Sequence, residues 1–122
     1  MNLTLSDSEL SELIKSLLEK INNLDFVIIP TEKNQKMMML YKLNKVKARD
    51  LVLSKISKDN FVSYEFDRDT GKYGVGYVLI FIFDCKLINL FGENVNVKVY
   101  VKIKENKDML PVLSMHESIG GK

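Results

Sequence analysis

The sequence predicts a single α+β domain in which helices pack on one face of an antiparallel sheet of about five or six strands. The first segment repeats its apolar residues with helical spacing, whereas the segment from residue 61 onward alternates or is apolar throughout, as strands do. The chain of 122 residues shows no internal repeat and no linker-like stretch, and a chain of this length can bury a core without disulfides. We therefore expect one domain over residues 1–122, with an N-terminal helix and a second short helix on one side of the sheet.

The first predicted element is an amphipathic helix over residues 5–24. Ser6 and Glu9 form the S-x-x-E pattern of a capping box, in which each side chain bonds to the backbone N–H of the other residue. The apolar residues form one stripe at helical spacing: Leu10, Leu13, Ile14, Leu17, Leu18, Ile21 and Leu24. The helix is expected to bury this stripe in the core.

Residues 25–43 are predicted to form a strand pair. Residues 26–29 are a short apolar run that Pro30 ends, and residues 36–43 follow a polar turn as the second strand. The three methionines at 37–39 lie in that second strand, either as core filler or as an adaptable binding surface. A short helix is expected over residues 47–56, because Ala48, Leu51, Val52 and Ile56 fall on one face.

Residues 61–117 are predicted to form the antiparallel sheet. Residues 61–66 alternate and lead into a hairpin turn at 67–71, and residues 77–83 are apolar on both faces, as in a central strand. Residues 95–104 alternate strictly between apolar residues and a polar set made of Asn96, Lys98, Tyr100, Lys102 and Lys104. The apolar side should face the helices, so the other side should present a phenol and three ammonium groups. A turn at 106–108, a last strand at 110–116 and a frayed tail at 119–122 complete the prediction.

Composition excludes several classes of function. The single cysteine, Cys85, excludes an intrachain disulfide, and together with the single histidine, His116, it excludes a zinc site built from several Cys and His residues. No Gly-rich phosphate loop or nucleophile elbow is present. The longest apolar run, residues 77–83, is far shorter than the roughly 20 residues of a membrane span, and the first residues show no signal-peptide pattern. We expect a cytoplasmic protein with no membrane contact, no metal and no cofactor.

The net charge of +2 is distributed unevenly along the chain. Residues 1–32 carry two lysines against six acidic residues, whereas residues 33–58 carry eight basic residues against Asp50 alone. Such a local excess attracts phosphate groups even when the whole protein is nearly neutral. Lys45, Lys47 and Arg49 are therefore candidates for RNA binding, although a lysine-rich solvated surface explains the same charges.

The last two predicted strands carry the best candidates for catalysis. Lys98, Tyr100 and Lys102 lie on one strand, and Ser114 and His116 on the next. If those strands pair antiparallel, residues 112, 114 and 116 share a face, but the sequence does not determine which face. If it is the face of Tyr100, that residue and His116 could serve as acid and base in RNA cleavage through the 2′-hydroxyl, a reaction that needs no metal. Lys98, Lys102 and Lys104 would then hold phosphate. The alternative is a solvated face with a hydrogen-bonded histidine and a structural Ser114.

Several short segments resemble a known family in their order along the chain. The residues that carry the resemblance are Ala48-Arg49-Asp50-Leu51-Val52-Leu53, Asn60-Phe61, Gly92, Val99-Tyr100-Val101-Lys102-Ile103 and Pro111-Val112-Leu113-Ser114-Met115-His116-Glu117. Over about residues 48–117 this order is similar to that of the MqsR-type mRNA interferases, toxins of toxin–antitoxin modules with a RelE-like fold. The resemblance implies that Tyr100 stands at the position of a functional tyrosine and His116 at that of a functional lysine.

Two functions from different classes follow from these observations. The first is a small toxin-like RNA-binding protein, a metal-independent endoribonuclease of a toxin–antitoxin module, with RNA as substrate and an antitoxin protein as partner. The alternative is a non-catalytic phage or mobile-element protein that inhibits a host defence nuclease, in the manner of an anti-CRISPR protein. In that case the basic region at 33–58 and the methionines at 37–39 would bind a host defence protein or a nucleic acid.

Overall fold

The structure is a computed structural model that describes residues 2–23, 25–67, 76–106 and 109–118, with backbone alone at residues 2 and 3. Three helices are described: α1 (Asp7–Asn23), α2 (Glu32–Leu40) and α3 (Lys45–Lys55), with a 3₁₀ turn at Lys58–Asn60. The described strands are β1 (Asn2–Leu3), β2 (Asp25–Ile28), β3 (Phe61–Asp67), β4 (Gly76–Ile88), β5 (Asn94–Lys104) and β6 (Met109–Glu117). The α+β class expected from the sequence is confirmed.

The strands form one sheet in the order β1-β3-β4-β5-β6-β2. Neighbouring strands are antiparallel in every pair except β2 and β6. β2 and β6 are parallel and pair from Asp25 opposite Met109 to Ile28 opposite Val112. The sheet is therefore mixed rather than wholly antiparallel. A parallel neighbour requires a long connection, and the chain between β2 and β6 supplies it with α2, α3 and the three central strands.

All three helices bury residues against the same face of the sheet. Ile14 of α1, Met37 of α2 and Val52 of α3 belong to one hydrophobic core with the alternate residues of β5 that were expected to face the helices, Val97, Val99, Val101 and Ile103. Burial of this apolar surface is the main stabilising contribution to such a fold. No helix in the described part of the chain is both long enough and apolar enough to span a membrane.

The start of α1 is the one that the sequence predicts. The Ser6 backbone N–H donates to Glu9 Oε1 over 2.9 Å, and the Glu9 backbone N–H donates to Ser6 Oγ over 3.1 Å. These two bonds satisfy N–H groups that the first turn of a helix leaves without partners, and they hold the pKa of the Glu9 carboxyl below its ordinary value. Ile14, Leu17 and Ile21 of the stripe are buried.

The strand pair predicted over residues 25–43 is wrong in its second half. β2 forms as expected, but residues 32–40 form α2 instead of a strand. The Thr31 side chain accepts a bond from the Asn34 backbone N–H, which caps the helix start. The segment from 36 to 43 contains no β-branched residue, and its lysines, methionines and leucines all favour helices. Met37 is buried in the core and Met39 is 59% exposed.

The other boundaries agree with the sequence to within a few residues. α3 begins at Lys45 rather than residue 47, because the Asn44 side chain accepts a 2.8 Å bond from the Lys47 backbone N–H. The strand predicted at 77–83 is longer, since β4 extends to Ile88. The predicted turns at 67–71 and 106–108 and the tail at 119–122 lie wholly or largely outside the described residues.

Candidate active site

The face of the sheet opposite the helices, called here the open face, carries the predicted catalytic residues. Strand alternation and cross-strand register place on it Ile82, Asp84, Lys86 and Ile88 of β4 with Asn96, Lys98, Tyr100 and Lys102 of β5. Val78 and Ile80 also lie on this face, yet they are only 1% and 5% exposed. Their cross-strand neighbours are Lys104 and Lys102.

A bulge in β6 brings Ser114 and His116 to the open face. Ile103 pairs with Val112, but the next residue of β5, Lys102, pairs with Ser114, so Leu113 is the extra residue. Val112 consequently faces the core and is fully buried. The expectation that residues 112, 114 and 116 share a face is therefore wrong for Val112, because the bulge reverses the alternation between 112 and 114.

Tyr100 and His116 face each other directly across β5 and β6. Their rings stack with centroids 5.4 Å apart and planes inclined by 17°. His116 Nδ1 lies 3.0 Å from the Glu117 carbonyl oxygen. A carbonyl oxygen only accepts hydrogen bonds, so Nδ1 carries a proton in this contact. This contact and the stacking on Tyr100 fix the orientation of the ring.

The surroundings of Tyr100 keep its phenol protonated. Burial raises the pKa of its phenol above the ordinary value, and the negative charge of Glu65 raises it further. The phenol is therefore protonated at neutral pH. Stacked on the His116 ring, it places a hydroxyl donor on the same face as the imidazole.

The three lysines of β5 differ in availability. Lys98 is exposed, and Lys102 is partly exposed opposite Ser114. Lys104, by contrast, is 2% exposed, and its ammonium group donates a 3.0 Å bond to Asp67 Oδ2 on β3. Lys104 was predicted to bind RNA, but the structure buries its ammonium group in this ion pair, away from a ligand on the open face. Lys98 and Lys102 are left for phosphate.

Glu65 is a member of the site that the sequence did not indicate. It lies on β3 opposite Val78, with its Oε2 accepting a 2.6 Å bond from Ser63 Oγ, and its charge acts on Tyr100. In the sequence it is an isolated acidic residue far from residues 98–116. The alternation of β3 was the available signal, because it places residues 63 and 65 on one face.

The basic residues of α3 lie on the other side of the molecule. Ala48 and Val52 of α3 are buried in the core, which lies on the helix side of the sheet. Lys45, Lys47 and Arg49 are therefore separated from the open face by the sheet. Lys45 forms a 2.7 Å ion pair with Asp25, Arg49 lies 3.6 Å from Asp50, and Lys47 is exposed. The RNA-binding residues predicted from charge therefore form two separate surfaces instead of one.

Comparisons with known proteins find no relative of this chain: no family model matches it, and neither the curated proteins nor the solved structures show a significant match. The function must therefore be argued from the site itself.

Proposed function

We propose that the protein is a metal-independent endoribonuclease that cleaves RNA on the open face, as the toxin of a toxin–antitoxin module in the cytoplasm. The observation that carries the proposal is the stacked pair of Tyr100 and His116, a phenol beside an imidazole whose Nδ1 bonds to the Glu117 carbonyl oxygen. Lys98 and Lys102 place positive charge on the same face. The order of residues similar to MqsR-type interferases supports the same function.

The proposed reaction uses each of these groups once. His116 Nε2 removes the proton of the ribose 2′-hydroxyl, and the 2′-oxygen forms a bond to the adjacent phosphorus. The bond from phosphorus to the 5′-oxygen breaks, and Tyr100 gives its proton to that leaving oxygen. The products are a 2′,3′-cyclic phosphate and a 5′-hydroxyl. Lys98 and Lys102 stabilise the negative charge that accumulates on the phosphate oxygens in the transition state.

The direct test is cleavage of a labelled single-stranded RNA by the purified protein with excess EDTA. We expect products with 2′,3′-cyclic phosphate ends, and no cleavage of the same RNA carrying 2′-O-methyl groups. His116→Ala should lower the cleavage rate by about 10²- to 10⁴-fold, the usual contribution of a general base, and Tyr100→Phe should lower it as well. Asn96→Ala, an exposed change on the same face, is the matched control.

Two outcomes would contradict the proposal. One is wild-type protein that leaves RNA intact at all concentrations and causes no growth arrest when expressed. The other is cleavage that persists in the His116→Ala variant, which would point to a contaminating nuclease. An antitoxin partner is expected to relieve growth arrest by covering the open face.

A second candidate function is supported by the separate surface of α3. Lys47 is exposed there beside Val46, which is 59% exposed, so this surface offers a partner both positive charge and apolar area. This surface suits the alternative of a non-catalytic inhibitor of a host defence nuclease. Such a protein would be harmless alone, would inhibit a purified defence nuclease, and would lose that inhibition when Lys45, Lys47 and Arg49 are changed to Glu.

A further inference from the structure

β4 extends seven residues past the end of its pairing with β3. The β3–β4 register ends where Phe61 meets Phe81, and the chain before Phe61 leaves the sheet in the 3₁₀ turn Lys58–Asn60. β4 continues to Ile88, paired on its other side with β5. The 3₁₀ turn contacts β4, but within the described ranges residues 82–88 have no strand neighbour on the β3 side. They therefore form an unpaired strand edge, which is a template for pairing with another strand.

The backbone groups that face this edge can be identified from the ends of the β4–β5 ladder. Glu105 N donates to Tyr77 O, and Asn89 N donates to Glu93 O, each over 2.9 Å. The register between them is unbroken, so the odd-numbered residues of β4 bond to β5. The N–H and C=O groups of the even-numbered residues therefore point to the open edge: Ile82, Asp84, Lys86 and Ile88.

The side chains of residues 82–88 in one copy are complementary to those of the same segment in a second, antiparallel copy. Two antiparallel copies must place even-numbered residues opposite each other to form hydrogen bonds, which allows registers centred on residue 84, 85 or 86. Centring on 84 opposes two aspartates, and centring on 86 opposes two lysines. Centring on Cys85 places Asp84 opposite Lys86 of the second copy, twice, and uses all seven residues.

We propose that two copies of this chain form a symmetric dimer by antiparallel pairing of residues 82–88 centred on Cys85. In this register Ile82 opposes Ile88 on the open face and Phe83 opposes Leu87 on the core face. About eight backbone hydrogen bonds form, two for each of the four pairs that point to the edge. The pairing covers Ile88, which is 55% exposed in the single chain. The proposal holds whether or not the protein cleaves RNA.

A disulfide between the two copies of Cys85 would report the register of the pairing. Cys85 of one copy lies opposite Cys85 of the other in a pair without hydrogen bonds, where the Cα atoms are about 4.5 Å apart. That separation is within the range that a disulfide spans. In a register centred elsewhere the two cysteines are displaced along the strands, so a cross-link identifies the proposed register.

The experiment measures the molar mass of the full chain by light scattering over about 1 to 200 µM, with charge-swap variants. Asp84→Lys and Lys86→Asp each oppose like charges in the dimer and should raise its dissociation constant about tenfold or more. The double variant Asp84→Lys/Lys86→Asp restores opposite charges and should return the constant to near the wild-type value. Lys33→Asp, an exposed change on α2, alters the net charge as Lys86→Asp does and should have no effect.

Diamide treatment of the wild-type dimer should give a species of twice the mass on a non-reducing gel, as diamide takes up the two thiol hydrogens and the disulfide forms. A chain that stays monomeric up to 200 µM overturns the proposal. So does a dimer that is indifferent to the single charge changes, because another surface then holds it. A charge-sensitive dimer that the double variant does not restore overturns the proposed register, because Asp84 opposes Lys86 only when the pairing is centred on Cys85. Rescue by the double variant distinguishes a lost interface from a misfolded chain.

Discussion

The Asn34 side chain forms hydrogen bonds with the edge of β6 at the point where no described strand pairs with it. Its side-chain Nδ2 donates to the carbonyls of Ile29 and Leu113, over 2.8 and 3.1 Å, and its Oδ1 accepts from Met115 N over 2.9 Å. β2 ends opposite Val112, so the following residues of β6 have no strand on that side in the described chain. Asn34 is 1% exposed, and its amide satisfies backbone groups that would otherwise be buried without partners.

Replacing Asn34 tests this role. Asn34→Ala removes three hydrogen bonds and leaves buried backbone groups unsatisfied, so we expect the free energy of unfolding to fall by about 3 kcal/mol. For a domain of this size that corresponds to a midpoint lower by on the order of 10 °C. Thermal and urea denaturation measure the change, with the exposed Asn96→Ala as control. A change below about 0.5 kcal/mol would contradict the assigned role.

At the scale of single residues, the sequence indicated Tyr100 and His116 but not their surroundings. Strand alternation placed Lys98, Tyr100 and Lys102 on one face, and the structure agrees. The burial of Lys104 could not be predicted, because Asp67 lies 37 residues away in sequence and meets it only in the folded sheet. The contribution of Glu65 was missed for the same reason.

Among the elements, α2 departs most from the sequence prediction. Its position along β6 is held by Asn34 at its start and by a hydrogen bond from Tyr41 Oη to Glu117 at its end. Burial, as the largest cause, together with the hydrogen bond to Glu117 and the charge of Glu117, raises the pKa of Tyr41 to about 12. The helix thus covers a strand edge that would otherwise be open to aggregation.

The raised pKa of Tyr41 makes the free energy of unfolding depend on pH in the alkaline range. In the unfolded chain the Tyr41 phenol ionises near pH 10, whereas in the folded protein it stays protonated to about pH 12. The folded state therefore binds more protons between these values, and its stability falls as pH rises through that window. Urea denaturation at pH 8 and pH 11 should show a loss that is smaller in Tyr41→Phe. An equal loss in both proteins would contradict the assignment.

On the scale of the whole molecule, the sheet separates two basic surfaces. Lys98 and Lys102 lie on the open face, and Lys47 and Arg49 on the helix side. We expect a single RNA strand bound at the proposed site to contact the first pair and not the second. The sequence suggested one binding region from the positive charge of residues 33–58, and this region is not part of the proposed site.

Salt-dependent binding of a single-stranded RNA distinguishes the two surfaces. Lys98→Gln with Lys102→Gln should weaken binding and reduce the slope of log K against log salt by about 1.4, the value for two lost phosphate contacts. Lys47→Gln with Arg49→Gln should leave affinity and slope unchanged. Equal effects of the two double variants would show that RNA contacts both sides, and an effect of the second pair alone would favour the alternative function.

The sequence by itself determined what depends on neighbouring residues. The capping box of α1, the alternation of β5 and the composition of the strands are local patterns, and local periodicity dictates which side chains share a face. The helix α2 was also encoded locally, by Thr31 and by a segment without β-branched residues, although its methionines were interpreted as a strand.

The tertiary structure alone decided the relations between distant segments. The bulge at Leu113 places His116 on the same face as Tyr100. β2 pairs in parallel with β6, and Lys104 forms a buried ion pair with Asp67. β4 is left with an open edge because β3 ends at Phe61. Each of these outcomes depends on register and on contacts far apart in the chain, which periodicity does not specify.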